Sequence, residues 1–206
     1  MLSNWCESWD LHLNIDKCFS LCIYRSRTQI ISNYTIHSNI LKTVSQIRDL
    51  GVIYTNNFSF NAHINTIISK AFRTLGFIKR STANFTNIYT TISLYKQLLL
   101  PILDYCSPIW SPSSKKQIFQ LERVQRKFVK HLRYKCSVSY EHDDYFSYLK
   151  DIPLKPLFLR RIKATLSLTL NISSEQTNCT YLKSLINIYL PPKILRSTRL
   201  YIIPHF

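Results

Sequence analysis

One change of hydrophobic period, at Asn56-Asn57, divides this chain and limits the folds open to it. Before it lie short runs of β formers: Cys18 to Tyr24, Tyr34 to Ile36 and Ile40 to Val44, with His37-Ser38-Asn39 as a turn between the last two. Ile47 to Tyr54 reads as a further strand, and Gly51 inside it implies either a close approach of the backbone to something or a β-bulge. After the change, Ile64, Ile67, Ile68, Ala71, Phe72 and Leu75 recur in steps of three and four, the stripe of a helix that ends near Gly76 or shortly after. The expected class is therefore α+β, a small antiparallel sheet followed by a mostly helical region.

A second helix is expected after Thr86-Asn87, turning Ile88, Ile92, Tyr95, Leu98 and Leu99 inward, with Pro101 kinking or ending it. Asp104 to Pro112 reads as a connector that buries Tyr105 and Trp110, and Ser113 or Ser114 is placed to cap the next helix. This third helix covers Lys115 to about Arg133, with Ile118, Leu121, Val124, Phe128 and Leu132 inward. Past an acidic loop at Glu141, Asp143 and Asp144, Asp151-Ile152-Pro153 opens a helix through Leu157, Leu159, Ile162, Leu166 and Leu170. A loop from Ser173 to Thr180, an apolar segment from Tyr181 to Tyr189 and an irregular tail from Pro191 to Phe206 complete the chain. The pattern divides into residues 1–56, 57–135 and 136–206.

Charge narrows the choice of partners. Lysine and arginine number 27 against 11 acidic residues, a formal charge of +16, which points to a polyanion. The excess is concentrated: Lys115, Lys116, Arg123, Arg126, Lys127, Lys130, Arg133 and Lys135 stand against one acid, Glu122, with a second group at Arg160, Arg161 and Lys163. A face that is merely solvated is the plainer reading of such a helix. A membrane partner is not expected, because the longest apolar stretch, Leu94 to Leu103, is broken by Lys96 and Pro101 and falls short of the roughly 20 residues of a span.

Catalytic signatures are sparse. With Gly51 and Gly76 the only glycines, neither a P-loop nor a Rossmann fingerprint can be present. The cysteines form no C-x-x-C, and no pair of them sits at finger spacing from two histidines, so no zinc site is expected. Met1 to Glu7 lacks the features of a signal peptide, so an intracellular location, nuclear or cytoplasmic, and reduced thiols are expected. Metal-dependent polymerases need converging carboxylates, and Tyr140-Glu141-His142-Asp143-Asp144 has the wrong spacing for the Tyr-x-Asp-Asp arrangement. No metal site is expected in this chain, and none of the histidines has a recognisable nucleophile partner.

Several segments, taken in order, resemble the region that follows the catalytic Asp-Asp motif in non-LTR (LINE, jockey-like) retrotransposon reverse transcriptases. Trp5 to Cys18 is similar to the family's tryptophan followed by L-x-L-N-x-x-K-C/T, its motif D, matched by Leu11, Leu13, Asn14, Lys17 and Cys18. Ile47 to Val52 (IRDLGV) resembles motif E, the primer-grip hairpin. His63 to Arg80 resembles H-I-x-x-x-x-x-K-A-x-x-x-L-G-x-I-x-R, and Leu94 to Trp110 resembles L-Y-x-x-L-x-x-P-x-L-x-Y-x-S-x-I-W. Ile118 to Leu132 is similar to I-x-x-L-E-R-V-Q-R-x-F-x-x-x-L, and Leu157 to Arg161 (LFLRR) to a later L-x-x-R-R block, with Pro192 to Pro204 like the family's closing stretch.

The resemblance implies a palm remnant (1–56), a helical thumb-like region (57–135) and a post-thumb region with its tail (136–206). It implies an RNA-directed DNA polymerase as parent, with an RNA template and a DNA primer as partners and Mg2+ as the cofactor of the intact enzyme. Lys17 would be the general acid that protonates pyrophosphate, Leu50, Gly51 and Val52 the primer grip, and Arg123, Arg126, Lys127 and Lys130 the contacts to phosphates. The family's metal-binding aspartates precede the segment that Trp5 opens, so this fragment is expected to hold no cofactor and to be inactive alone, its missing upstream half a further possible partner. A stand-alone basic nucleic-acid-binding protein and a non-functional transposon relic are the alternatives.

Overall fold

The computed structural model describes residues 5–185 other than 7, 25–31, 37, 113, 137–144, 175 and 177–178. Its class is α+β, with helices outweighing three small two-stranded ladders. The acidic segment 140–144 and the tail beyond 185 lie outside the described residues.

The ladders depart from a single antiparallel sheet. β2 (Thr35–Ile36) and β3 (Asn39–Ile40) form the expected hairpin, but β1 (Phe19–Ser20) pairs parallel with β4 (Lys42–Thr43). Ile47 to Tyr54 is not one strand but the larger part of a hairpin, β5 (Gln46–Asp49) against β6 (Val52–Thr55), in which Asp49 faces Val52 across the turn. Gly51 is thus neither inside a strand nor a bulge. The two turn residues have φ of 44° at Leu50 and 86° at Gly51, the paired left-handed geometry of a type I′ turn. Leucine in that region is strained by about 1–2 kcal/mol, and here its side chain is 81% exposed, so no burial offsets the strain.

Helix α1 (Asn61–Ser81) runs a full turn past Gly76, because Ile78 continues the stripe and is itself buried. The next helix meets Pro101, which lacks an N–H and whose ring crowds the carbonyl of Gln97. The helix does not end there. α2 (Ile88–Leu94) passes into a π-turn over Tyr95–Leu99, in which the Leu100 N–H reaches the Tyr95 carbonyl, and α3 (Leu100–Asp104) follows. The wider turn carries Tyr95 and Leu99 into the core and leaves Leu98 exposed, against expectation. The connector contains a short helix, α4 (Ser107–Trp110), which buries Trp110 and leaves Tyr105 exposed.

Helix α5 (Lys115–Lys135) follows Ser114, which occupies the cap position without a side-chain hydrogen bond. α5 lies beside α1 in the same direction: Gln117 Nε2 donates to Asn61 Oδ1 near both starts, and Lys135 Nζ to the Thr82 carbonyl past the end of α1. Leu121, Val124, Phe128 and Leu132 are buried as expected, and Phe128 stacks on Tyr95 with centroids 4.0 Å apart. Asp151 ends α6 (Tyr145–Asp151) instead of opening the next helix, and α7 (Leu157–Ser173) begins after Pro156. A last turn, α8 (Thr180–Ser184), packs on α7. One core runs from Val52 to Leu157, so packing does not break at residues 135 and 136.

Two buried polar side chains, Glu122 and Gln125, tie these elements together. Glu122 Oε2 accepts from the Tyr145 hydroxyl at 3.0 Å and Oε1 from the Phe158 N–H at 2.6 Å, joining α5 to α6 and α7. Gln125 accepts from the Tyr95 hydroxyl at 3.2 Å and donates to the Lys155 carbonyl at 3.0 Å. Arg161 is 3% exposed, and neither Nη1 nor Nη2 has a hydrogen-bond partner. Burial pulls its pKa down, while the carboxylates of Glu122 and Asp104 hold the charge.

Unfolding measurements probe both the buried cluster and the hairpin. Removing the Glu122 carboxylate leaves the Tyr145 hydroxyl and the Phe158 N–H without their acceptor and the buried Arg161 guanidinium without a neighbouring carboxylate, so Glu122→Leu costs about 3 kcal/mol in urea unfolding, and Arg161→Leu added to it restores only part of the loss. A Glu122→Leu protein as stable as the parent contradicts the buried hydrogen bonds of Glu122. At the hairpin, Leu50→Asn raises the unfolding free energy by about 0.5–1 kcal/mol because asparagine tolerates the left-handed region. Gly51→Ala lowers it by about 1 kcal/mol, and equal midpoints for the three proteins would refute the turn geometry.

Candidate nucleic-acid interface

Arg123, Arg126, Lys127 and Lys130 fall at i, i+3, i+4 and i+7 on α5, and all four are exposed on one side of it. The single acid of the helix, Glu122, is turned into the core, which leaves this face purely cationic. With Arg133, Tyr145, Tyr148 and the buried Val129, the four residues line a groove of about 250 Å³ between α5 and α6.

Aromatic rings hold three of these cations. The Arg126 guanidinium lies 4.8 Å from the Tyr145 ring centroid and 5.5 Å from that of Phe119. Arg133 stands 5.6 Å over Tyr148, and Lys127 Nζ 5.0 Å over Phe72. Such contacts are worth about 0.5–1 kcal/mol each at exposed sites and restrict the side chains without neutralising them. Tyr145 remains a hydroxyl throughout the physiological range: burial, then the charge and hydrogen bond of Glu122, push its pKa far up.

The hairpin tip is built separately. Tyr105 donates its hydroxyl to the Leu50 carbonyl at 2.8 Å, and a Cβ at position 51 would lie 3.4 Å from the Tyr105 ring, so the turn rests on that ring. Leu50, Gly51, Arg48, Lys70, His63 and Tyr105 are among the residues around a groove of about 500 Å³. His63 is buried beneath it, accepting weakly from the Ile53 N–H at 3.4 Å, edge-on to Trp110. Burial, and then Arg48, hold its pKa below the ordinary imidazole value.

The expected site residues therefore separate. Leu50 and Gly51 are presented at the tip, but Val52 is 1% exposed and belongs to the core, because the first residue of β6 faces α1. A contact from Val52 to a primer is thereby corrected. Lys17 is exposed at the end of the 3-10 turn Ile15–Lys17 and lines neither groove. Among the described residues no three histidine, cysteine or acidic side chains converge, so these residues do not fit the paired Mg2+ of a polymerase. No helix among them is long and apolar enough to cross a membrane. Sequence reading missed Tyr148 and Tyr145 as walls and Tyr105 as the prop of the hairpin. The Tyr105 contact spans 55 positions, and no local signal carries it.

Comparison with known proteins adds little to this geometry. No family model and no solved structure matches the chain. An uncharacterized protein of Caenorhabditis elegans is 26% identical over 95 residues, which are 46% of this chain and 48% of the worm protein. The matched region thus spans about half the length of that relative, and its name states no activity.

Proposed function

We propose that this chain is the C-terminal, duplex-gripping part of a non-LTR retrotransposon RNA-directed DNA polymerase, with an RNA–DNA hybrid as its ligand. The observation that carries the reading is the acid-free face of α5, where Arg126, Lys127 and Arg133 are held over aromatic rings. Cations fixed in this way lose little side-chain freedom on meeting phosphate, and a row of them reads backbone shape instead of base sequence. The exposed tip at Leu50-Gly51 belongs to the same packed body, as a primer-grip hairpin requires. Lys17 has the identity and spacing of the family's general acid, and among the described residues no cluster of carboxylates stands beside it.

A second reading is a stand-alone nucleic-acid-binding protein, favoured by the unbroken core from Val52 to Leu157. Both readings place phosphates on α5. Salt titration of binding to an RNA–DNA hybrid is the test. Log affinity should fall linearly with log salt, and Arg126→Gln with Lys130→Gln should flatten that slope by about one for each phosphate no longer neutralised. Affinity should drop alike for hybrids of any sequence. A folded double variant with an unchanged slope sinks the assignment of this face.

A further inference from the structure

The apolar stripe of α7 faces away from the core. Leu157 and Arg161 are the buried residues of this helix, while Leu159, Ile162, Leu166 and Leu170 are between 46% and 59% exposed. At 100° per residue, Leu159, Leu166 and Leu170 fall on one line opposite the buried pair. A leucine row of this kind is costly to leave in water and marks a contact surface.

Beside the row lies a concave groove of about 800 Å³, floored by Leu100, Leu154 and Leu159 and rimmed by Lys96, Lys155 and Lys163. Among the described residues the acid in its lining is Asp104, which is already held by Arg160, whose Nε and Nη2 donate to its Oδ2 at 2.9 and 2.5 Å. The rim therefore keeps an unbalanced positive charge around an aliphatic floor.

We propose that α7 and this groove form a docking site for an acidic amphipathic helix of a partner protein. The leucines choose among the occupants. They offer a phosphate backbone nothing, and among the described residues no aromatic ring lines the groove for a base to stack on. A bilayer would cover the leucines but leave the concave groove unfilled. A second copy of a chain with net charge +16 would bring the same lysines to the contact. A helix with leucines along one face and glutamates beside them fills the groove and meets the rim.

Synthetic peptides as long as α7 test this on the full chain. The first carries a leucine stripe flanked by glutamates, the second has lysines for the glutamates, and the third scrambles the first. In fluorescence anisotropy the glutamate peptide should bind. Leu166→Gln with Leu170→Gln should weaken it by roughly tenfold or more, and Lys155→Glu with Lys163→Glu should transfer the preference to the lysine peptide. The leucine variants should leave affinity for an RNA–DNA hybrid unchanged, which separates this surface from that of α5. Four results would overturn the proposal: equal binding of the scrambled peptide, dimerisation abolished by the leucine variants, preferential binding to anionic vesicles, or an intramolecular link from a photo-cross-linker at position 166 to residues 186–206.

Discussion

Everything on the outside of α5 depends on where Glu122 goes. A carboxylate on a helix otherwise crowded with lysine and arginine would normally pair with its neighbours at the surface, where such pairs contribute little. Here it points inward, takes hydrogen bonds from the Tyr145 hydroxyl and the Phe158 N–H, and lies near the buried Arg161 guanidinium. A buried charge is tolerated only when it is paired and hydrogen-bonded, so these contacts fix how α6 and α7 sit on α5. The same contacts hold Tyr145 where its ring meets Arg126. The cationic face and the polar core are thus two sides of one arrangement.

The helices of the core were legible in the sequence because burial there follows a period that the residues declare. Ile64, Ile67, Ala71 and Leu75 on α1, and Leu121, Val124, Phe128 and Leu132 on α5, are buried where a stripe at steps of three and four puts them. The cationic residues of α5 were legible for the complementary reason. Where the reading failed, a backbone rule or a distant partner overrode the period. Leu50-Gly51 is a hairpin turn without the usual asparagine, because Tyr105 supports a leucine in a conformation it rarely adopts. Pro101 is expected to kink or end the helix; the helix continues past it through one wider turn, and Leu98 lies outward.

α7 is the instructive inversion. Its leucines have the spacing of a core stripe, yet the buried positions are Leu157 and Arg161. Periodicity locates an apolar face but does not say which neighbour covers it, and here Leu157 and Arg161, not the leucine row, lie on the side that packs inward. With a charged residue drawn inward, the leucine side has to face outward.

The two outer surfaces consequently differ in kind. On α5 the attraction is Coulombic and acts on any dense row of phosphates, so added salt weakens it steeply. On α7 the lysines only rim an aliphatic row, and burial of leucine is insensitive to screening, so a ligand held there keeps much of its affinity in salt that strips the first surface. Charge alone does not separate their ligands; the leucines do, because phosphates gain nothing from them, and α5 offers an amphipathic helix no comparable aliphatic row to cover. On the two proposals, a nucleic acid and a protein would occupy different residues of the same chain.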